Sequence, residues 1–334
     1  MKLIAGTRGS KLAIAQTKTV CNMLKDKYPH VDIDLKIIST KGDKILHKAL
    51  DKIGDKGLFV KEIENQLIDG SIDFAVHSLK DMPSEIDDNL KLTMTPNRAD
   101  ARDVLIINPK HSIDTEKIYE WLCKSENLKI GTGSKRRIAQ LLKINKKIQP
   151  MHIRGNIDTR ISKLVSEDMD AIVLAAAGIE RLNISNENMY FFEYEEMIPA
   201  AGQGALAIEI RKDNRELDKM FSEISDENSE LEIIAERAFL KRINGGCHIP
   251  VGAISYIENG EFIISGIYGD EEYQNIVLGK KSIVLENILV EEHKDAFKGN
   301  DNISNCCKYG YEKIQLEKIE QLGIELADEL VSKL

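Results

Sequence analysis

Arginine recurs where short apolar runs give way to helical patterns. Arg8 follows Lys2–Gly6, Arg136 and Arg137 follow Gly131, Arg154 and Arg160 flank Gly155-Asn156, and Arg181 follows Gly178. A guanidinium offers two parallel donors to a carboxylate or phosphate, fixing angle as well as distance. At the carboxyl ends of strands, unpaired helix-start amides favour anions too. The set points to a polyanionic ligand, although each arginine taken singly reads equally well as a solvated helix-end charge. The run Val76-His77-Ser78-Leu79-Lys80-Asp81-Met82-Pro83 places Lys80 and Asp81 just past an apolar stretch. An acid in a crevice ringed by arginines could stabilise a cation formed during reaction, or it could cap loop amides. His77 reads as a hydrogen-bonded structural residue. Cys247, in Asn244-Gly245-Gly246-Cys247-His248-Ile249-Pro250, is either a thiol on an open, constrained loop or a small buried hydrophobe.

Other chemistries lose ground by spacing. Gly131-Thr132-Gly133-Ser134-Lys135-Arg136 has arginine where a dinucleotide fingerprint needs its third glycine, and there is no Walker loop, HExxH or zinc-type CxxC pair. No metal is expected. The 334 residues are 42% hydrophobic and 30% charged with a net charge of −9, as in an ordinary globular protein of two or three domains. The acidic balance argues against nucleic acid as a partner. No stretch approaches the roughly 18 apolar residues of a membrane span. The opening MKLIAGTRGSKLAIAQ turns polar too early for a secretory signal, and the five cysteines form no disulfide framework. The expectation is a cytoplasmic enzyme or small-molecule binder, without a membrane.

The elements that must position these residues alternate. Lys2–Gly6 reads as a strand; Ser10 caps a helix with Ala13, Thr17, Val20 and Leu24 on one face. Val31, Ile33, Leu35 and Ile37 alternate as in a half-buried strand. Phe59, Ile63 and Leu67 mark a helix stopped by Gly70, and Ile72–Val76 a buried strand. A second α/β unit starts near Asp103: strands at Val104–Ile107, Lys129–Gly131, Met151–Ile153 and Ala171–Ala176, and helices after Ser134 and over Ile157–Val165. Ile198–Ile210 reads as a Gly-punctuated strand that could cross back to the first sheet. Beyond Asn214 come a helix from about Ser229 to Arg242, a hairpin at Asn259-Gly260, a strand near Ile276–Leu278 and a helix from about Tyr311 to Leu334. The fold class is α/β: two doubly wound domains, 1–98 with 198–214 and 99–197, then a small α+β domain at 215–334. The last carries a polar insertion at about 285–308, in which Cys306 and Cys307 look incidental.

Nine segments together resemble porphobilinogen deaminase over nearly the whole chain: GTRGSKLAIAQT, KGDKI, KGLFVKEIENQL, DFAVHSLKDMP, IGTGSKRRIAQL, IRGNIDTRISKL, DAIVLAAAGIERL, IPAAGQGALAIEIR and AERAFLKRINGGCHIPVGA. The resemblance implies a monomer of three domains, the first two like periplasmic binding proteins. It implies a dipyrromethane cofactor, held through a thioether on Cys247, which primes head-to-tail joining of four porphobilinogen units into hydroxymethylbilane, a precursor of haem and other tetrapyrroles. Each pyrrole carries an acetate and a propionate, so the growing chain is strongly anionic.

By the same resemblance Asp81 would hydrogen-bond pyrrole N–H groups and stabilise the azafulvenium formed as ammonia leaves. Arg8, Ser10, Lys80, Arg136, Arg137, Arg154, Arg160 and Arg181 would bind acetate and propionate, with Thr132, Ser134 and Gly155 adding hydroxyl or amide contacts. Gln16, Ser78 and Gln203 take further binding positions, and Lys56 and Phe59 lie on a loop used as a mobile cover. The chain departs from the family's usual Ser-Ser-Leu-Arg-Arg at Gly133-Ser134-Lys135-Arg136-Arg137, and His248 is assigned no role. The competing reading is a two-lobed receptor for an anionic small molecule.

Overall fold

The computed structural model describes residues 1–40, 60–83, 85–93, 95–185, 188–244, 249–285 and 313–334. Its first sheet contains β1 (Lys2–Arg8), β2 (Asp32–Ile38), β3 (Phe74–Ser78), β4 (Leu90–Leu92) and β10 (Leu206–Arg211) in the order β2-β1-β3-β10-β4. The second contains β5 (Asp103–Ile107), β6 (Lys129–Gly131), β7 (Gln149–Met151), β8 (Ala171–Ala175) and β9 (Met189–Phe191) in the order β7-β6-β8-β5-β9. Three strands of each run parallel, and the last two pair antiparallel. The two sheets therefore share one topology. In each, the fourth strand arrives from the other half of the chain: β4 leads across to β5, and β9 leads back to β10.

Burial explains why these segments are strands. Along β5, Val104 and Ile106 join one core while Leu105 and Ile107 join another on the opposite face, as expected where helices cover both sides of a sheet. The faces are covered by α3 (Ile118–Lys124) and α4 (Lys135–Ile144) on one side, and by α5 (Ile157–Ser166) and α6 (Ala176–Arg181) on the other. In the first sheet α1 (Lys11–Lys27) starts where the Ser10 side chain accepts the Ala13 N–H at 3.2 Å, and it buries Ala13, Thr17, Val20 and Leu24. The helix α2 (Lys61–Ile68) buries Ile63 and Leu67 and gives way to Gly70 at φ +77°.

Some expectations need correction, among them the strand at Met151–Ile153, which lies instead at Gln149–Met151. The alternation at 31–37 is only partly buried: Leu35 and Ile37 are 38% and 63% exposed, because β2 is an edge strand and of this alternating set only Val31, just before it, and Ile33 join the first core. The strand expected at 198–210 is confined to β10. Residues 201–204 turn instead, with Gly202 and Gly204 at φ +73° and +87°, and a Cβ on Gly204 would lie 2.3 Å from the Ala99 oxygen. The helix α7 (Arg215–Ser222), started by the Asn214 cap, puts Leu217, Met220 and Phe221 into the first core.

The third region packs α8 (Glu227–Ile243) and α9 (Lys313–Lys333) on an antiparallel sheet of β11 (Val251–Glu258), β12 (Glu261–Gly269) and β13 (Ile276–Val284). Asn259 and Gly260, both at positive φ, make the tight turn between β11 and β12. The strand β13 outruns the expected 276–278 because its pairing with β12 continues to Val284 opposite Glu261. Among the described residues no helix is long and apolar enough to cross a membrane.

The helices α8 and α9 approach closely at Gly323, where a Cβ would stand 2.3 Å from the Ala235 carbonyl oxygen. Since that neighbour is backbone, Gly323→Ala should force the helices apart and destabilise this region by about 1–3 kcal/mol, read as a lower urea midpoint.

Candidate active site

Strand ends gather the candidate residues. Arg8 closes β1, followed by Ser10 as the cap of α1. Ser78 closes β3, and a single 3₁₀ turn, Leu79–Asp81, carries Lys80 and the exposed Asp81. Gly131 closes β6, leading through Thr132 and Ser134 into α4 with Arg136 and Arg137 in its first turn. Arg154 and Gly155 lie between β7 and α5, which carries Arg160, and Arg181 ends α6. Gln203 sits in the turn before β10. The two lobes meet here, with Lys11 of α1 pairing with Asp158 of α5 at 2.7 Å.

At the junction lies Asp103, the first residue of β5 and fully buried. Its Oδ2 accepts from Arg136 Nη1 at 2.6 Å; its Oδ1 accepts from Arg137 Nη2 at 2.7 Å and Nε at 3.1 Å, and from Gln203 Nε2 at 2.9 Å. Arg136 also donates to the Ile198 carbonyl and Arg137 to the Val173 carbonyl. The two arginines expected to face ligand carboxylates are thus buried and engaged with a carboxylate of the chain itself. Gln203 continues the network: its Nε2 donates to the Ala101 carbonyl at 2.7 Å and its Oε1 accepts from Lys80 Nζ at 3.2 Å. Lys80 of the first lobe is thereby tied through one hinge side chain to Asp103 of the second. Nearby, Gln16 Nε2 donates to Ser78 Oγ at 2.8 Å.

The electrostatics favour an incoming anion. Burial pushes the Asp103 carboxyl up, but Arg136 and Arg137 overcome it and hold the group well below the usual carboxylate range. Burial pulls the Lys80 ammonium down to about 8, against the attraction of Asp81 and with the repulsion of Arg137. Arg160 is lowered by burial and by its like-charged neighbours Arg137 and Arg154, and Arg181 by burial. Among the described residues Lys80, Arg160 and Arg181 form no ion pair with a carboxylate; the two arginines donate to the Gly155 and Gly204 carbonyls. Cations held among cations, partly stripped of water, fit a ligand bearing several carboxylates such as a dipyrromethane.

Local geometry refines other expectations. Ser134 occupies the N-cap of α4, but its hydroxyl makes no capping bond; Thr132 Oγ1 instead accepts the Ser134 N–H at 3.2 Å. Gly155, at φ +120°, has no room for a Cβ beside Thr159. His77 lies buried against Glu209, 3.2 Å from its carboxylate, in keeping with a structural role. Lys56, Phe59 and Cys247 lie outside the described residues, as do 286–312.

The cysteine loop is bracketed by described anchors. On one side α8 ends at Asn244, in the left-handed region, and on the other β11 begins at Val251. The helix is locked to the hinge by Glu236, which is fully buried. It accepts two bonds from Arg98, at 2.7 and 3.0 Å, and the N–H groups of Gly202 and Ser255, at 2.6 and 2.7 Å. Arg98 Nε donates in turn to the Gln203 carbonyl. Sequence reading missed Asp103, Arg98 and Glu236. The available signal was an acid opening the otherwise apolar run DVLII, and an acid on the inward face of α8.

Two lobes of one topology, joined by a double crossing lined with cations and backed by a small α+β region, define a two-lobed framework whose charge suits a polyanion. Residues 3–219 match the family described as porphobilinogen deaminase, dipyromethane cofactor binding domain, and residues 230–297 match porphobilinogen deaminase, C-terminal domain. The chain is 50% identical over 298 residues to "Porphobilinogen deaminase" of Clostridium novyi (strain NT), covering 87% of this chain and 97% of that protein. It is 48% identical over 278 residues to the protein of that name in Clostridioides difficile (strain 630), covering 83% and 90%. Among solved structures, the extracellular-binding protein ytmK from Bacillus subtilis overlaps 67% of this chain and 91% of its own, with 11% identity and a TM-score of 0.41. The chain belongs to the porphobilinogen deaminase family, which decides for the enzyme over the receptor.

Because its folded pKa lies below the ordinary value of about 10.4, Lys80 holds fewer protons in the folded chain than in the unfolded one between those two pH values. Its contribution is unfavourable at pH 7 and is relieved as pH rises through about 8 to 10.4. In protein without a bound carboxylate ligand, Lys80→Met should therefore raise the urea midpoint more at pH 7 than at pH 10, and carboxylate loading should shrink the difference.

Proposed function

We propose that this chain is a transferase that deaminates four porphobilinogen units and joins them head to tail on a dipyrromethane primer carried by Cys247, releasing hydroxymethylbilane. It is a hydroxymethylbilane synthase of tetrapyrrole biosynthesis, working as a cytoplasmic monomer. The observation that carries this reading is the crowd of buried and half-buried cations around Asp103, set beside the exposed carboxylate of Asp81. The working division is a first lobe of 1–98 with 198–222, a second lobe of 99–197, and a third domain from the start of α8.

When bound, the dipyrromethane supplies the pyrrole α-carbon to which the first porphobilinogen is joined. Acetate and propionate groups fall to Arg8, Lys80, Arg154, Arg160 and Arg181, and to whatever donor capacity Arg136 and Arg137 retain beyond Asp103. Ser10, Thr132, Ser134, Gly155, Gln16, Ser78 and Gln203 supply the polar wall, and Lys56 with Phe59 the cover. The substrate's C–N bond breaks as ammonia departs, and positive charge develops on the pyrrole methylene. The Asp81 carboxylate accepts the pyrrole N–H and faces that charge. Lys80, Arg160 and Arg181 would hold the primer's acids in place while its α-carbon exchanges a proton for the new C–C bond. A fixed anion aimed at developing positive charge lowers the barrier without having to reorganise. The protein otherwise contributes alignment of the two rings.

Intact mass tests the tether. Protein from cells able to make porphobilinogen should exceed its sequence mass by one dipyrromethane, and Cys247→Ser should match its own sequence mass; an unmodified wild-type chain would refute the reading. Asp81→Asn should keep fold and mass increment yet lose turnover by on the order of 10²-fold. Substrate capture should weaken between low and high salt, as expected where several charge pairs form at a partly exposed site.

A further inference from the structure

Between β7 and α5, Arg154 Nε–H donates to His152 Nε2 at 2.8 Å. A guanidinium has no acceptor, so the bond requires this imidazole nitrogen to offer its lone pair, as the tautomer carrying its hydrogen on Nδ1 does. The other edge of the ring lies against Gly133. A Cβ on Gly133 would stand 3.5 Å from His152 Cε1, 3.8 Å from Nδ1 and 3.2 Å from the Ile153 carbonyl oxygen. Gly133 is not at positive φ, so backbone conformation does not call for glycine there. The tight approach is to the Ile153 carbonyl oxygen, while the imidazole would meet a Cβ at ordinary contact distance, so the ring packs beside the β6–α4 loop as it grips Arg154.

Arg154 stands among the site cations, close enough to Arg160 to repel it. We propose that His152 is a positioning residue for Arg154, holding the guanidinium by its Nε edge so that its plane is set before a substrate carboxylate arrives. This rests on the function proposed above. An arginine already tethered at one edge has fewer rotamers to lose on binding, and its fork presents a fixed angle. Lysine at 154 could not replace it, having no second edge to hold.

The test uses the full chain labelled with 15N-arginine. In the wild type the Arg154 Nε–H resonance should be protected from solvent exchange. His152→Leu should abolish the protection, and His152→Gln, whose amide oxygen can accept the same bond, should keep it. In turnover, His152→Leu should raise KM for porphobilinogen by about two- to tenfold, the scale of one hydrogen bond, with kcat little changed, and His152→Gln should restore it. An unprotected resonance in the wild type, wild-type kinetics in His152→Leu, or equal losses in the Leu and Gln variants would overturn the proposal. A wild type that shows the protected resonance but consumes no porphobilinogen would instead strike at the functional reading, because the resonance reports the hydrogen bond by itself.

Discussion

A carboxylate with no access to water must find its counter-charges inside the protein, and Asp103 finds two. Removing one member of such a buried pair leaves the other uncompensated, a loss of about 3–5 kcal/mol, so the three side chains stand or fall together. Their location gives the pairing its importance. Asp103 begins the strand that enters the second lobe, Arg136 reaches the returning segment at the Ile198 carbonyl, and Gln203 carries the network to Lys80 in the first. The crossing is therefore tied by polar bonds beside the apolar cluster of Ala101, Ile198, Ile254 and Ile267. With two guanidiniums around one carboxylate, the cluster keeps a positive excess that an anionic ligand can complete.

A second polar lock, Arg98 with Glu236, joins the same crossing to the helix that leads into the cysteine loop. Gly252 presses the start of the third sheet against Pro199 and the Arg136 side chain, where a Cβ would lie 2.4 and 2.6 Å away. The C-terminal half of α8 and the buried Arg136 side chain are thus referenced to one set of backbone atoms at the crossing.

Much of this was legible from residue order. The apolar runs Ala171–Ala176 and Ile72–Val76 read as buried strands, and strands stand at Ala171–Ala175 and, two residues on, at Phe74–Ser78; Asn259-Gly260 read as a tight turn, and the Ser10 cap was visible as a hydroxyl ahead of a 3.6-residue pattern. The arginines stood out because strand-to-helix junctions have a known geometry. The partners of those arginines did not, since Asp103 and Glu236 lie 33 and 138 residues from the cations they bind. An acid in an apolar stretch looks like a strand terminus until tertiary structure brings its counter-ion. The same limit applies to Leu35 and Ile37, whose alternation is that of a covered face, and to α7, whose apolar side gives no sign of which sheet it will join.

The exchange of fourth strands between the lobes has a consequence for biosynthesis on the ribosome. The first sheet cannot close when its opening ninety or so residues emerge, because β10, which fills the gap between β3 and β4, is not yet translated. Throughout synthesis of the second lobe β3 presents bare amides and carbonyls along one side, an invitation to the wrong neighbour. A nascent chain of this kind stands to gain most from chaperone protection over that interval, and the arrival of residues 206–211 is the event that ends the need.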